Sequence, residues 1–311
     1  MLEQQFPVSP PGRLAGPLYA GGALAWVSIV SALLLMLPPF VAALGAAVAT
    51  AVITLAWRAA RGAGPTTGVN LIGVRPRARV AVWLAAHYDS KGQPISMALR
   101  IVAVALALVG AVGLLVLGVG RLAGAGWDLS TNLVLTLPGI VGGLLLLGNR
   151  ATNSSPGALD NATALVTVLG IVDRLPHGLS VGVLFLDAEE YGLLGASAIA
   201  RERANLLADT AVLNFDGIDD RGAVVSIEHR PGPIVAAVGV ALGSRRHRLL
   251  PIVVDGWALA RPARECVTVM RGDWRTTTIV HTPRDTAARL SLEGCELVAA
   301  RAADALARAL T

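Results

Sequence analysis

Lysine is almost absent from this chain. Lys91 is the only one, so the 26 basic residues set against 21 acidic ones are nearly all arginine. A net charge of +5 can mark a nucleic-acid binder. Here aromatic residues make up only 4% of the chain and no basic stripe is interleaved with them. The arginines flank apolar runs instead, as membrane-edge anchors do, so no nucleic-acid partner is expected. Charge of either sign is scarce at 15%, where soluble domains carry about one quarter; an ordinary soluble protein is excluded. Cysteine is scarce too. Cys266 and Cys295 are too few for a disulfide framework; they are read as buried thiols, with a single bond as the alternative. The first 16 residues carry only Glu3 and Arg13 as charges. They lack the basic start of a signal peptide and read as a short tail.

What is present in excess is apolar surface: 54% of residues are hydrophobic and the mean hydropathy is +0.62. Four runs carry it. Pro17 to Leu37 and Phe40 to Trp57 are uncharged, separated by Pro38 and Pro39, and read as a tight hairpin of spans, since about 20 residues cross a bilayer. Ile101 to Gly120 and Leu133 to Gly148 form a second pair, the latter interrupted by Pro138. The expected organisation is a tail and transmembrane hairpin over 1–61, the first part of a catalytic domain over 62–96, an inserted transmembrane hairpin over 97–149, and the main part of the catalytic domain over 150–311.

Outside these runs the pattern alternates. Strands are expected over Val69–Val74, Val80–His87, Val181–Leu186, Ala211–Phe215, Ala223–Ile227 and Thr276–Val280. Helices are expected over Asp160–Val172, Leu193–Asn205, Pro233–Leu242 and Leu292–Leu310. Such alternation argues an α/β domain with a parallel or mixed sheet, here with about four transmembrane helices added.

Chemistry gathers where strand-like runs end. Val181 to Leu186 stops abruptly at Asp187, followed by Glu189 and Glu190. Adjacent carboxylates at the end of a buried strand are costly unless a positive charge meets them, and open α/β sheets place their sites at that end. A solvated helix N-terminus would also accept them. His87 with Asp89, Asp160, Asp216 and His281 likewise fall at or near the ends of strand-like runs or loops. Singly each has an ordinary reading: Asp160 a helix cap, Asp216 and Asp89 turn residues. Together they form a mixed histidine and carboxylate set suited to zinc and its neighbours.

The segments AHYDS at 86–90, GALDNATA at 157–164, DAEEYGLLGA at 187–196, NFDGID at 214–219 and HTPRDT at 281–286 resemble the co-catalytic di-zinc aminopeptidase family, which also contains glutaminyl cyclases and transferrin-receptor-like domains. The resemblance spans residues 69–89 and 150–311 and omits the four apolar runs. It implies a phosphorylase/hydrolase-like zinc exopeptidase domain with a mixed central sheet, holding two zinc ions. His87 and Asp216 would hold one ion, Glu190 and His281 the other, and Asp160 would bridge them. Glu189 would be the general base, and Asp89 would orient His87. The family has a short loop between the counterparts of His87 and Asp160, where about 70 residues intervene in this chain. Trp257 to Trp274, which should shape the specificity pocket, shows no family pattern.

The implied activity is an aminopeptidase acting on peptides. Hydrolysis of another amide, a cyclase-type acyl transfer, or a silent binding domain are the alternatives. Asp160 follows closely on the fourth run, so the site is expected near the bilayer surface. Arg13, Arg58, Arg61, Arg100 and Arg150 flank the runs on the catalytic side and Arg121 lies opposite. The excess of positive charge on one side then makes this a multi-pass cell-membrane protein with a cytoplasmic catalytic domain. Nothing in the sequence sets the oligomeric state.

Overall fold

The computed structural model describes residues 2–8, 66–74, 80–148, 151–250 and 252–311. The expected spans Pro17–Leu37 and Phe40–Trp57 lie outside these residues. The described chain divides into two units: one holds the residues within 2–8, 66–92 and 153–311, the other those within 93–152.

The first unit is built on a mixed eight-stranded sheet. Its strands are β1 (Leu2–Val8), β2 (Thr66–Val74), β3 (Val82–His87), β4 (Val181–Leu186), β5 (Ala211–Ile218), β6 (Ala223–Arg230), β7 (Arg245–His247) and β8 (Glu265–Gly272). They lie in the order β1-β2-β4-β3-β5-β8-β6-β7. The four central strands, β4, β3, β5 and β8, run parallel. β1 and β2 add an antiparallel edge on one side, and β6 is antiparallel to β8 on the other.

β3 is buried along its whole length, as a central parallel strand covered on both faces should be. Its residues alternate between two cores. Val82, Leu84 and Ala86 join Leu213, Phe215, Val168, Ile171, Val298 and Leu306 on one face. Trp83 and Ala85 join Leu184, Leu186, Val212 and Leu259 on the other. The Trp83 ring fills the space where a side chain at position 182 would stand, so β4 needs glycine there. The first face is covered by α3 (Thr163–Arg174), α6 (Pro233–Leu242) and α8 (Glu293–Leu310). The second is covered by α4 (Leu194–Glu202) with the short turns α5 (Ala204–Leu207) and α7 (Gly256–Leu259).

Four expectations need correction. Leu2–Val8, read as tail, is an edge strand paired with β2; Gln4, Phe6 and Val8 turn inward, and Gln4 is satisfied there by Asn70. Between Trp257 and Trp274, where no strand is expected, Glu265–Gly272 forms β8, one of the four parallel strands at the centre of the sheet. Thr276–Val280 is not a strand: Thr276–Thr278 is a 3-10 turn. There the Asp273 carboxylate accepts the Arg275 and Thr276 N–H groups, and the Thr277 and Thr278 hydroxyls donate to carbonyls three residues back. Such local bonds compete with a ladder. Finally, the helix expected from Asp160 starts at Thr163, because Asp160 and Asn161 have non-helical backbone angles.

The second unit contains α1 (Met97–Leu122) and α2 (Leu129–Gly148). They pack through glycine. A side chain at 110 would strike the backbone of Gly139, one at 113 the carbonyl of Leu135, and one at 142 the backbone of Ala103 and Ala107. Small residues that let helix backbones approach closely are a habit of membrane helices. The apolar stretches, Met97–Gly120 and Leu129–Gly148, are 24 and 20 residues long with hydropathies of 2.8 and 1.7. Both are long and apolar enough to cross a bilayer of ordinary thickness.

Candidate metal centre

Three of the parallel strands deliver the site. His87 is the last residue of β3, level with Leu186 at the end of β4. Ala85 pairs with Asn214, so two residues further on His87 and Asp216 emerge side by side. β4 continues into Asp187–Glu190. Asp160 comes from the turn before α3, and His281 from the loop before α8.

These residues meet. His87 Nε2 is 3.1 Å from Asp160 Oδ1 and 3.7 Å from Asp216 Oδ1. His281 Nε2 is 2.9 Å from Asp160 Oδ2 and 2.7 Å from Glu190 Oε1. Asp160 therefore presents one oxygen to each histidine and belongs to both ligand sets, His87–Asp160–Asp216 and Asp160–Glu190–His281. Asp160 Oδ1, Glu190 Oε1 and His281 Nε2 are buried without a hydrogen bond. Close approach without hydrogen-bond geometry is what ligands aimed at a common cation show; buried polar atoms otherwise find partners.

The charge balance fits a cation too. Asp160, Glu189, Glu190, Asp216 and Asp255 are all buried, facing two imidazoles and Lys91. Burial opposes charge on His281, yet the carboxylates of Glu190 and Asp160 push it up to about 9. Burial likewise opposes charge on His87, and Asp160, Asp216 and Asp89 push it well above the usual value. Without metal the site draws in protons; two imidazoles, two terminal carboxylates and a shared one suit zinc.

Glu189 is placed in the site but in neither ligand set. Burial raises its carboxyl well above the usual range, opposed by His87 and reinforced by Glu190, Asp255 and Asp216. The backbone that carries it is strained. Ala188 sits in the left-handed region at φ 55, and so does His281 at φ 64, a conformation rare for residues with a side chain and concentrated at functional sites. The Asp187 carboxylate fixes Ala188 by accepting its N–H at 2.7 Å.

Asp89 holds this turn in place. Its carboxylate accepts the N–H groups of Glu189 at 3.0 Å and Glu190 at 3.1 Å. The nearest acceptor to His87 Nδ1 is the Asp89 carbonyl at 3.0 Å, with the carboxylate at 3.5 Å. Asp89 thus ties the end of β3 to the two glutamates.

Sequence reasoning passed over four participants. Asp285 accepts the N–H groups of Leu159 and Asp160, at 2.6 and 3.2 Å, and so ties the His281 loop to the bridging turn. Asn161 accepts the Gly217 N–H at 2.9 Å and donates to Phe215 O, bracing the same turn against β5. Asp255 is buried with both carboxylate oxygens unbonded, and burial pushes it up to about 8. Lys91 pairs with Glu190 Oε2. Asn161 and Asp285 lie within the motif segments and were readable there; Asp255 carried no sequence signal, and Lys91 only its uniqueness.

The model of peptidase family M28 matches residues 70–306. No curated protein matches the chain. Among solved structures, the zinc aminopeptidase BSAP from Bacillus subtilis is 15% identical with a TM-score of 0.50, the match covering 79% of this chain and 51% of that one. The glutaminyl cyclase of Porphyromonas gingivalis is also 15% identical, with a TM-score of 0.51 and 79% of each chain covered. The present chain thus spans about half the length of the aminopeptidase it matches. At these identities the structures establish the shared fold, while the family match takes in strands β3 to β8, all five ligand candidates and Glu189: the chain belongs to peptidase family M28.

Proposed function

We propose that the chain is a membrane-embedded, zinc-dependent exopeptidase that removes residues from the N-termini of peptides. The observation that carries this is the shared carboxylate: Asp160 turns one oxygen to each of two histidine-containing sets. His87, Asp160 and Asp216 would hold one zinc, and Asp160, Glu190 and His281 a second. Zinc bound there supplies Lewis acidity to a carbonyl and acidity to water. Glu189 takes a proton from the attacking water and returns it to the departing amine, as a positioned carboxylate can. Asp89 and the strained Ala188 turn hold Glu189 at its station. Asp285 and Asn161 keep Asp160 between the two ligand sets.

The membrane part of the proposal rests on α1 and α2, whose outward faces are apolar. It extends to the 1–61, 62–96, 97–149 and 150–311 organisation, with four spans. The hairpin interrupts the chain between His87 and Asp160. Arginine placement favours a cytoplasmic catalytic domain; labelling of introduced cysteines by an impermeant reagent in intact cells would overturn that sidedness.

The test uses the full chain in detergent with a panel of aminoacyl amides. Glu189→Gln should retain its zinc and lose roughly 10²- to 10⁴-fold in turnover; unchanged turnover would remove Glu189 from the reaction. Formation of a cyclised product from N-terminal glutamine, with no amide hydrolysis, would move the assignment to acyl transfer. Zinc binding without turnover on either substrate class would leave a binding domain.

A further inference from the structure

Lys91, the chain's only lysine, is itself buried and pairs with Glu190 Oε2. Buried lysine is rare unless paired, and this one is spent on a member of the ligand set. The other oxygen, Glu190 Oε1, faces His281 Nε2 at 2.7 Å and makes no hydrogen bond. We propose that Lys91 is a positioning residue that restricts Glu190 to a single oxygen for a cation. It thereby makes Asp160–Glu190–His281 the weaker of the two metal sites. The inference rests on the metal assignment above and concerns how the two sites differ.

Nothing comparable burdens the other set. Asp216 Oδ1 lies near His87 Nε2, and among the described residues no lysine or arginine forms an ion pair with Asp216 or with Asp160. The two sets share Asp160 and each has one histidine and one further carboxylate, so their donor chemistry is equal. The difference lies in the ammonium. It engages one oxygen of Glu190 and places a like charge beside any cation held by the other.

Lys91 also orients Glu190, which would work in the opposite sense. That contribution is the smaller one, because the Asp89 carboxylate already fixes the Glu190 main chain through its N–H. Repulsion between an ammonium and a divalent ion is felt in a buried site where water screens little. Removing the charge should therefore tighten the site rather than loosen it.

Zinc is titrated into the metal-free full chain in detergent, in competition with a chromophoric chelator, so the readout is affinity and needs no turnover. The wild type should fill in two unequal steps. His281→Gln should erase the weaker step and keep the tighter one. Lys91→Met should tighten the weaker step by roughly tenfold, as removal of a like charge from a poorly screened site would, and leave the tighter step in place. Lys91→Arg, which keeps the charge, should leave the steps unequal. Loss of the tighter step in His281→Gln overturns the proposal, and so does an unchanged second step in a folded Lys91→Met. If Lys91→Met fails to fold, the wild-type and His281→Gln titrations decide alone: equal steps, or the wrong step lost, refute it. A chain that binds no zinc at all would defeat the metal assignment itself, a separate outcome.

Discussion

The two units of the molecule obey opposite burial rules. In the α/β unit the large apolar side chains are inside: Trp83, Leu84, Ile171 and Phe215 are among the largest fully buried ones. In the pair α1–α2 they are outside: Leu108 is 64% exposed, Leu115 66% and Val134 71%. What that pair buries is mostly small or polar, including Asn132, Thr136, Gly139, Gly142 and Gly143, with Leu117 and Leu146 as the large exceptions. The first unit is sorted for water, which expels apolar surface. The second has the opposite arrangement, the one expected of helices in the proposed lipid setting, where only close backbone approach and polar contacts remain to select an interface. Composition alone, at 54% hydrophobic, does not separate the two; the direction in which the side chains face does.

The sharpest way to break that comparison is truncation of one apolar side chain in each unit. Phe215→Ala, in the core beneath Asp216, should cost about 3–5 kcal/mol, read as a large fall in the melting temperature of the detergent-solubilised chain. Leu108→Ala removes an equally apolar but outward group and should change stability by no more than about 0.5 kcal/mol. Equal losses would mean that the α1–α2 surface is covered in the native protein by something other than lipid or detergent. A charge sharpens the contrast from the other side. Leu108→Arg, near the middle of α1, should cost about 2.5–3.5 kcal/mol of membrane insertion, measured as the fraction of chain that resists carbonate extraction. Unchanged retention would take α1 out of the bilayer.

How much of this was legible depends on whether the signal was local. Val181–Leu186 and Pro233–Leu242 are read from sequence with the boundaries the structure has. A buried parallel strand and a helix started by proline and ended by glycine both announce themselves within their own residues. Metal-ligand candidates were legible because acids and histidines at or near the ends of strands, as with His87, Asp216 and Glu190, or in loops, as with Asp160 and His281, recur too often to be solvated turn residues. What failed was non-local. Leu2–Val8 is a strand only because β2 supplies the partner edge, and its polar Gln4 is acceptable only because Asn70 meets it. Thr276–Val280 has the β-branched composition of a strand, but Asp273 captures its backbone first. Lys91 and Asp285 matter through residues 99 and 125–126 positions away in the chain, separations at which periodicity has nothing to report.

The smallest expected effect divides the two units by their response to acid. Helix α2 carries no titratable side chain, and between Ile101 and Gly120 neither does α1. The α/β unit, by contrast, holds His229 on β6, packed edge-on to Trp257 at 5.0 Å and touching Thr268 Oγ1 at 2.9 Å through Nε2. Burial lowers its pKa to about 4 from an ordinary 6.5. The unfolded chain therefore takes up a proton at a pH where the folded chain does not. The neutral ring's contribution is fully present above pH 6.5 and is lost as the pH falls from there to about 4. The ring is only partly enclosed, so solvent screening reduces the contribution to about 1–2 kcal/mol. His229→Gln keeps a polar group towards Thr268 but removes the titration. Its melting temperature should fall less than that of the wild type between pH 6.5 and pH 4.5, while helix content in α1–α2 holds in both. Parallel curves for the two proteins would show that His229 titrates equally in the folded and unfolded chain, and the acid sensitivity of the α/β unit would then belong to its carboxylates.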